Sequence, residues 1–419
     1  MANRFSAHQN VREINRGYLE HIRSGLSGIK SLVWWKKVKT RLFFGNELRL
    51  LLLPILLLVG KLFIFRLRRS LGVYRSDLPS DLHRRALGYV DSFIEQYPMH
   101  LYPILAKSFE LAFLIPYFKE TEENRSEIVE VAIGEGTLSK RLFTGGQRVT
   151  GVDLNPYSLV KAAKFPHVAR AIVGDGLNPP LQAGSFELLI SNNFLHHVTQ
   201  KEKTISNWAL IAHRLVFNEN TPYWASSWTV PFLLRRLGLT RLGDRRARLI
   251  EEDSLQHLEH TADLEAYIRC SCDIEDQVSF MSERTFFLAS CFSFLMRCYG
   301  PPTPALLKGH LLGWLRKTAV PMTKELCELL IRFDAYQERS KDTFVVFICK
   351  SRRFNRNSSR SVLVCPHCGK PLKEDTWCEN CACVFPLRDG MLFLLPNELK
   401  LVEKEYSSKI AATVPAEQL

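Results

Sequence analysis

Short runs of hydrophobic residues alternate with polar, helix-like segments between residues 128 and 217. Apolar runs occupy residues 128–131, 149–154, 171–173 and 186–190, and an acid or an amide follows close behind each of them. Apolar runs of this length, bounded by turn-forming residues, are typical of strands buried on both faces of a parallel sheet. The pattern therefore predicts an α/β fold in which polar side chains gather at the carboxyl ends of neighbouring strands.

A glycine-rich turn follows the first of these runs. Gly134 and Gly136 flank a glutamate, and residues 137–143 have the spacing of a short helix. Glycines let the backbone approach a ligand where a Cβ atom would clash, and a helix N-terminus offers unpaired amides to an anionic group. Asp153, at the end of the next strand, is placed to accept hydrogen bonds from both hydroxyls of a ribose. The turn thus predicts a site for a nucleotide-like cofactor.

The order strand, Gly-Glu-Gly, strand ending in Asp153, Gly174-Asp175 and then SFELLIS followed by FLHHV resembles class I S-adenosylmethionine-dependent methyltransferases, particularly the small-molecule and quinone-type enzymes. The likeness covers roughly Glu130 to Trp228. It implies a doubly wound, mostly parallel seven-stranded sheet and S-adenosylmethionine as cofactor. It also implies the roles of six residues: Glu130, Gly134 and Gly136 at the methionine end, Asp153 at the ribose, Asp175 at the adenine and Asn192 closing the site.

Two details qualify this likeness. The family usually has a glycine where Ala132 stands, so we expect a tighter turn on the methionine side. A nicotinamide cofactor is the competing hypothesis, but the GxGxxG pattern fails because Ser139 occupies its third glycine position. The pattern therefore favours a methyl donor.

Two histidines follow the fourth predicted strand. A histidine at the carboxyl end of a parallel strand faces the crevice where ligands bind, and its ordinary pKa of about 6.5 suits removal of a proton. We take His197 as the candidate general base, with His196 second. The alternative is that these side chains only hydrogen-bond to the backbone at the turn.

The predicted methyltransferase domain, residues 78–350, is longer than a minimal methyltransferase fold requires. Residues 222–230 are predicted to form the fifth strand and residues 342–350 the closing antiparallel strand. Between them, at about 230–341, we expect a helical insertion that forms a substrate lid. Its first part, residues 232–248, interleaves leucines with arginines, which is typical of an amphipathic basic surface.

The positive charge of the chain is concentrated at its N-terminus. The chain has 419 residues and a formal net charge of +13. Residues 1–90 contain 17 Lys and Arg against 5 Asp and Glu, so they account for +12 of this excess. A protein that bound nucleic acid with its catalytic face would be expected to carry basic residues around that site as well.

The basic arm, residues 1–77, also contains a sixteen-residue apolar run at 50–65 that is interrupted by Pro54 and Gly60. A helix that spans the hydrocarbon core needs about twenty apolar residues. Because basic residues flank the run on both sides, and residues 29–44 mix tryptophans with lysines and arginines, we predict a re-entrant or in-plane helix with both ends at the cytoplasmic face of a membrane. A buried core helix with a solvated basic face is the alternative.

A polar, basic linker at residues 351–361 precedes two CxxC knuckles. Cysteine pairs with this spacing can hold one tetrahedral Zn²⁺ ion, and a module this small has too little core to be stable otherwise. The predicted zinc-ribbon module spans residues 362–400 and is followed by a tail at 401–419. Its sequence resembles the zinc module of some RNA methyltransferases and of their zinc activator subunit. The predicted ligands are Cys365, Cys368, Cys378 and Cys381.

Three functions remain open from the sequence. The first is a membrane-associated methyltransferase that acts on a lipid, a lipid-linked saccharide or another amphiphilic small molecule. The second is an RNA methyltransferase, which the zinc module and the pI of about 9.2 favour. The third is a catalytically degenerate binding protein that retains the fold, which the alanine at position 132 keeps open.

Overall fold

A computed structural model gives the structure of the chain. It describes residues 61–62, 64–65, 68–69, 80–94, 101–120, 127–143, 147–226, 232, 235–253, 257–298, 310–337, 341–356, 362–374 and 376–413. The predicted membrane run at 50–65 and the aromatic, basic segment at 29–44 lie almost wholly outside these residues, as does most of the predicted arm 1–77.

The strands of one large mixed sheet run through most of the chain. Their bounds are β1 (Glu127–Val131), β2 (Arg148–Asp153), β3 (Val168–Gly174), β4 (Phe186–Asn192), β5 (Ala212–Asn220), β6 (Cys272–Ser282), β7 (Asp342–Ser351), β10 (Leu387–Arg388) and β11 (Met391–Leu394). Strands β8 (Trp377–Cys378) and β9 (Cys383–Val384) form a separate two-stranded ribbon.

Helices connect or flank these strands in the described residues. They are α1 (Asp81–Tyr89), α2 (Asp91–Ile94), α3 (Leu101–Glu120), α4 (Ser139–Leu142), α5 (Pro156–Ala162), α6 (Lys201–Ile211), α7 (Pro222–Ser226), α8 (Thr240–Asp253), α9 (Thr261–Arg269), α10 (Glu283–Cys298), α11 (His310–Ala335) and α12 (Lys400–Thr413). Short 3-10 turns occur at Leu195–His197 and Asn397–Leu399. Within α3, Leu101–Phe118 is long and apolar enough to cross a membrane by length and composition, and 56% of that window is buried inside the protein.

The sheet order is β10-β11-β3-β2-β1-β4-β5-β7-β6. Strands β3, β2, β1, β4 and β5 are parallel, and β7 runs antiparallel to β5. This is a Rossmann-like, mostly parallel sheet. The prediction of seven strands was too low, because the C-terminal segment adds β11 in parallel to β3 and then β10 at the edge.

The fifth strand was predicted one element too late. The sequence suggested a strand at residues 222–230, whereas β5 is Ala212–Asn220 and Pro222–Ser226 is the helix α7. Helix α6 ends at Ile211, and the chain enters β5 at once without a separating turn residue.

The chain divides into two compact units that interleave along the sequence. One unit comprises residues 115–222, 256–279 and 344–419 and contains most of the sheet together with the C-terminal cysteines. Its core includes Val152, Ile172 and Trp208, all fully buried.

The other unit comprises the described residues within 1–114, 223–255 and 280–343. In its core, Phe109 stacks on Phe280 with ring centroids 5.6 Å apart. A buried polar group lies beside them: the carboxylate of Asp334 accepts a hydrogen bond from the backbone N–H of Ser282 at 2.7 Å and pairs with Nε2 of His83 at 3.2 Å.

Candidate methyl-donor site

The turn after β1 has the backbone conformation expected of a cofactor-binding turn. Three of its residues have left-handed φ angles: Ala132 at 57°, Gly134 at 56° and Gly136 at 69°. At Gly136 a Cβ atom would lie 3.0 Å from Cβ of Ala162, so a side chain would crowd α5. Ala132 thus adopts the conformation that a glycine would favour, at a cost of about 1 kcal/mol. The tighter turn expected on the methionine side stays a prediction.

Asp153 ties this turn to the end of β2. Its Oδ2 accepts a hydrogen bond from the backbone N–H of Gly134 at 2.8 Å, and its Oδ1 accepts one from Asn155 at 2.7 Å. Burial raises the pKa of the Asp153 carboxyl above its ordinary value, and these backbone N–H groups oppose the rise. The carboxylate therefore lies beside the glycine turn, as the ribose assignment requires.

Asp175 follows β3 directly and holds a tight local loop. Its Oδ1 accepts a hydrogen bond from the backbone N–H of Leu177 at 2.9 Å, and its Oδ2 accepts one from the Asn178 side chain at 3.3 Å. Burial raises the pKa of this carboxyl too. The indole N–H of Trp208 donates to the carbonyl of Gly176 at 2.9 Å, so helix α6 also fixes the loop.

The sheet order brings the predicted donor residues to one edge. Strands β3, β2, β1 and β4 are successive neighbours, so the segments that follow them meet at the carboxyl ends of the sheet. The last residue of β4, Asn192, accepts a hydrogen bond through Oδ1 from the Asn218 side chain on β5 at 2.8 Å. Glu130 lies within β1 and is buried.

The buried carboxylate of Glu219, on the fifth strand, was not among the residues predicted from the sequence. Its Oε1 accepts hydrogen bonds from the backbone N–H groups of Phe194 and Leu195 at 3.1 and 2.8 Å. Its Oε2 lies 3.3 Å from the backbone nitrogen of His196 and 2.8 Å from Nδ1 of the same residue. One side chain therefore organises the whole turn after β4. An acid inside an apolar strand is the signal that could have revealed it, but the misplaced fifth strand hid it.

The two histidines have different surroundings. His196 is buried and held by Glu219, so its role at this turn is structural in part. His197, the candidate base, is half-buried at the end of the 3-10 turn, and its ring centroid lies 4.2 Å from that of His196. The assignment of His197 as a base remains a prediction.

The four predicted metal ligands converge in the C-terminal module. The sulfur atoms of Cys365, Cys368, Cys378 and Cys381 all lie within 4.8 Å of one another. Two of the separations are 3.9 Å, between Cys365 and Cys381, and 3.6 Å, between Cys368 and Cys378. Tetrahedral thiolates at about 2.3 Å from a zinc ion would be about 3.8 Å apart. The donor set and its spacing therefore fit a four-thiolate zinc ion.

The residues of the predicted donor site lie within a stretch that matches a known family model. Residues 129–213 match the family model described as a methyltransferase domain, and they run from β1 to the first residues of β5 and hold the glycine turn, both aspartates and Asn192. These residues therefore form a methyltransferase domain.

The chain is similar to two uncharacterized methyltransferases and to a solved structure. It is 31% identical to one from Bacillus licheniformis over 78 residues, 18% of this chain and 37% of that protein. It is 22% identical to one from Oceanobacillus iheyensis over 120 residues, 27% of this chain and 56% of that protein. The chain therefore spans well under two thirds of each relative's length. The crystal structure of an S-adenosylmethionine dependent methyltransferase from Mesorhizobium loti has 18% identity, covers 56% of this chain and 96% of its own, and gives a TM-score of 0.34.

Proposed function

We propose that the protein transfers a methyl group from S-adenosylmethionine to an amphiphilic, lipid-like small molecule at the cytoplasmic face of a membrane. The main support for methyl transfer is the hydrogen bond that the Gly134 backbone N–H donates to the Asp153 carboxylate. It joins the left-handed turn after β1 to the acid that ends β2. A ribose-binding carboxylate and a methionine-binding turn need this juxtaposition.

Each donor residue has a distinct task in the proposed reaction. S-adenosylmethionine supplies, when bound, a methyl group on a sulfonium that leaves as a neutral thioether. Asp153 would hold the ribose hydroxyls and Asp175 the adenine, while the turn at 132–136 would receive the methionine part. The protein chiefly aligns donor and acceptor and excludes water, so little acid-base help is needed when the acceptor is already nucleophilic. If the acceptor must lose a proton to become nucleophilic, His197 would take up that proton.

An exposed leucine and arginine surface supports the choice of an amphiphilic substrate. Around α8, Leu237, Leu239 and Leu242 are 73%, 46% and 52% exposed, and Arg241 and Arg245 are exposed beside them. Apolar side chains among cations suit the interface of an anionic bilayer, where the leucines enter the acyl region and the arginines meet headgroups. The basic arm at 1–77 adds to the same argument through its charge and its apolar run.

A flotation assay tests the membrane part of the proposal. Full-length protein is mixed with phosphatidylglycerol-containing vesicles and with neutral vesicles, and we expect binding to the anionic vesicles that weakens with salt. Removal of residues 1–77 should abolish most of the vesicle binding. The double variant Leu237→Asp with Leu242→Asp should weaken it. Leu387→Asp, at a position that is 66% exposed, is the control and should bind as wild type does. Equal binding by the truncated and full-length proteins would refute the membrane role of the arm.

A donor-binding measurement tests the methyltransferase part. Isothermal titration with S-adenosylmethionine should give a clear binding isotherm for the wild type and at least tenfold weaker binding for Asp153→Ala. Asp273→Ala, which removes an exposed carboxylate, is the matched control and should leave the affinity unchanged. No binding by the wild type would favour the alternative of a degenerate fold that binds something else.

The class of acceptor follows from one labelling experiment. The protein is incubated with a methyl-labelled donor and a whole-cell extract, and lipid, RNA and protein fractions are then separated. Label in the lipid fraction is expected. Label confined to RNA would overturn the lipid proposal in favour of an RNA methyltransferase, the function that the cysteine module and the basic pI of about 9.2 favour.

The cysteine cluster completes the proposal with a structural zinc ion. A closed set of four thiolates leaves no open coordination position, which suits a structural site. Elemental analysis should find one zinc per chain, and its absence from purified wild type would refute this assignment.

A further inference from the structure

The C-terminal module is joined to the sheet at the edge that carries Asp175. Strand β11 pairs in parallel with the last four residues of β3, from Met391 beside Ala171 to Leu394 beside Gly174. Gly174 directly precedes Asp175. The backbone on the N-terminal side of this acid is therefore hydrogen-bonded to a strand from the far end of the chain.

The same module also holds the chain after Asp175. Val364 donates its backbone N–H to the carbonyl of Pro180 at 3.0 Å, and Gln182 donates its N–H to the carbonyl of Val362 at 2.9 Å. These bonds flank an antiparallel bridge between Leu181 and Leu363. Residues 174–182, which we call the donor loop, are thus held at both ends by the C-terminal module.

Packing within the donor loop transmits this restraint to the rest of the donor site. A Cβ atom on Gly174 would lie 3.2 Å from Pro180, so the two ends of the loop are in close contact. A Cβ atom on Gly176 would lie 3.1 Å from both Val131 on β1 and Phe194 in the turn after β4. The loop has little room to shift without moving the strands on either side of the glycine turn.

The segment that holds the loop is continuous with the metal ligands. Cys365 follows Val364 directly, and its backbone N–H donates to the carbonyl of Lys370 at 2.8 Å to close the first knuckle. Leu363, Cys365 and Cys378 are buried in the same apolar cluster as Leu181 and the strands of the sheet. A metal ion on the four sulfur atoms would fix the knuckle and, through it, residues 362–364.

We infer that the four-cysteine module is a positioning element of the methyl-donor site, and that metal loading strengthens S-adenosylmethionine binding by fixing the donor loop around Asp175. Leu363 and Val364 transmit the effect without touching the donor. The inference rests on the proposed donor binding, and it assigns the module a task within the catalytic unit in place of one in recognising the acceptor.

Two cysteines that lie two positions apart provide a matched pair of variants. Cys381→Ser removes an exposed ligand from the cluster, whereas Cys383→Ser makes the same chemical change in the same module outside the cluster. We expect Cys381→Ser to lose zinc by elemental analysis and to bind S-adenosylmethionine about tenfold more weakly, equivalent to about 1.4 kcal/mol. Cys383→Ser should keep both the zinc and the affinity.

Hydrogen exchange gives a second readout that does not depend on the donor. Amides of Val364 and Gln182 should exchange faster in Cys381→Ser than in wild type, while the amide of Leu195, bonded to Glu219, should be unchanged. Donor affinity within twofold of wild type together with unchanged exchange in metal-free protein would overturn the inference. If wild type itself binds no donor, the proposed function fails, and the exchange data still decide whether metal fixes the loop.

Chelation covers the case in which Cys381→Ser does not give soluble protein. Wild type is stripped of metal by a chelator and then reloaded with zinc, and donor affinity is measured at each stage. Affinity that falls on stripping and returns on reloading supports the inference. Affinity that stays constant through both steps, in protein shown to be metal-free, refutes it.

Discussion

Replacing Glu219 with alanine tests whether one buried carboxylate organises the turn after β4. The variant removes the acceptor for three backbone N–H groups and for the ring of His196. Phe194, Leu195 and His196 are all buried, so their donors would be left without a partner in the protein. A buried donor that loses its partner costs about 1–3 kcal/mol, and water that enters the space left behind recovers part of that.

Three buried N–H groups without a partner, at about 1–3 kcal/mol each and partly relieved by water, give an expected loss of about 3–5 kcal/mol for Glu219→Ala. Such a loss is a large share of the roughly 5–15 kcal/mol that stabilises a folded domain. With a urea dependence of about 2 kcal/mol/M, the midpoint should fall by about 2 M. Equilibrium unfolding in urea, followed by far-ultraviolet circular dichroism and by tryptophan fluorescence, measures this shift.

Glu187→Ala is the control for the same measurement. Glu187 also pairs with a histidine, His213 at 2.9 Å, and with Arg356 at 3.0 Å, but its side chain is 30% exposed. Partly exposed pairs contribute about 0–1 kcal/mol, so this variant should unfold close to wild type. If Glu219→Ala lowers the midpoint no more than Glu187→Ala does, the role assigned to Glu219 is wrong.

Three further outcomes follow from the geometry. Ala132→Gly should leave donor affinity within threefold of wild type by titration, because the alanine already has the glycine conformation, and should raise the thermal midpoint slightly or leave it unchanged; weaker binding would contradict this. Burial raises the pKa of Asp153 in the folded state, so its contribution to stability is fully present below its unfolded pKa of about 3.9 and is lost as pH rises through the folded pKa. Relative to Asp153→Asn, the wild type should therefore become less stable to urea as the pH rises above about 4, and a constant difference would refute the shift. Asp334→Ala should cost about 3 kcal/mol in thermal or urea unfolding, since Ser282 and His83 lose a buried acceptor, whereas a loss below about 1 kcal/mol would contradict the importance of this group.

The predictable part of the fold is the part in which local pattern and tertiary environment agree. The first four strands are short, mostly apolar runs that end near turn residues, so their pattern predicted them, and the glycine turn with the acids that follow β2 and β3 carried the resemblance that implied the cofactor. The same reasoning failed at residues 212–220. No glycine or proline separates α6 from β5, and the polar residues Asn218 and Glu219 make the strand look like the end of a helix.

The site was predictable where a residue acts through its own place in a motif. Gly134, Asp153 and Asp175 stand at strand ends, where sequence position alone fixes their location. Glu219 accepts a hydrogen bond from Leu195, more than twenty residues earlier in the chain. Leu363 forms a bridge with Leu181, which lies much earlier still. Contacts of this range depend on strand order, which a single sequence does not supply.

The parallel pairing of β11 with β3 has a consequence for biosynthesis. Strand β3 leaves the ribosome long before Met391–Leu394 have been translated, so its outer edge stays unpaired while most of the chain is being made. Exposed strand edges template intermolecular pairing, and domains fold in the order in which their parts emerge. We therefore expect nascent chains arrested before residue 391 to aggregate or to engage chaperones, and the completed chain to reach its donor-binding state only after release.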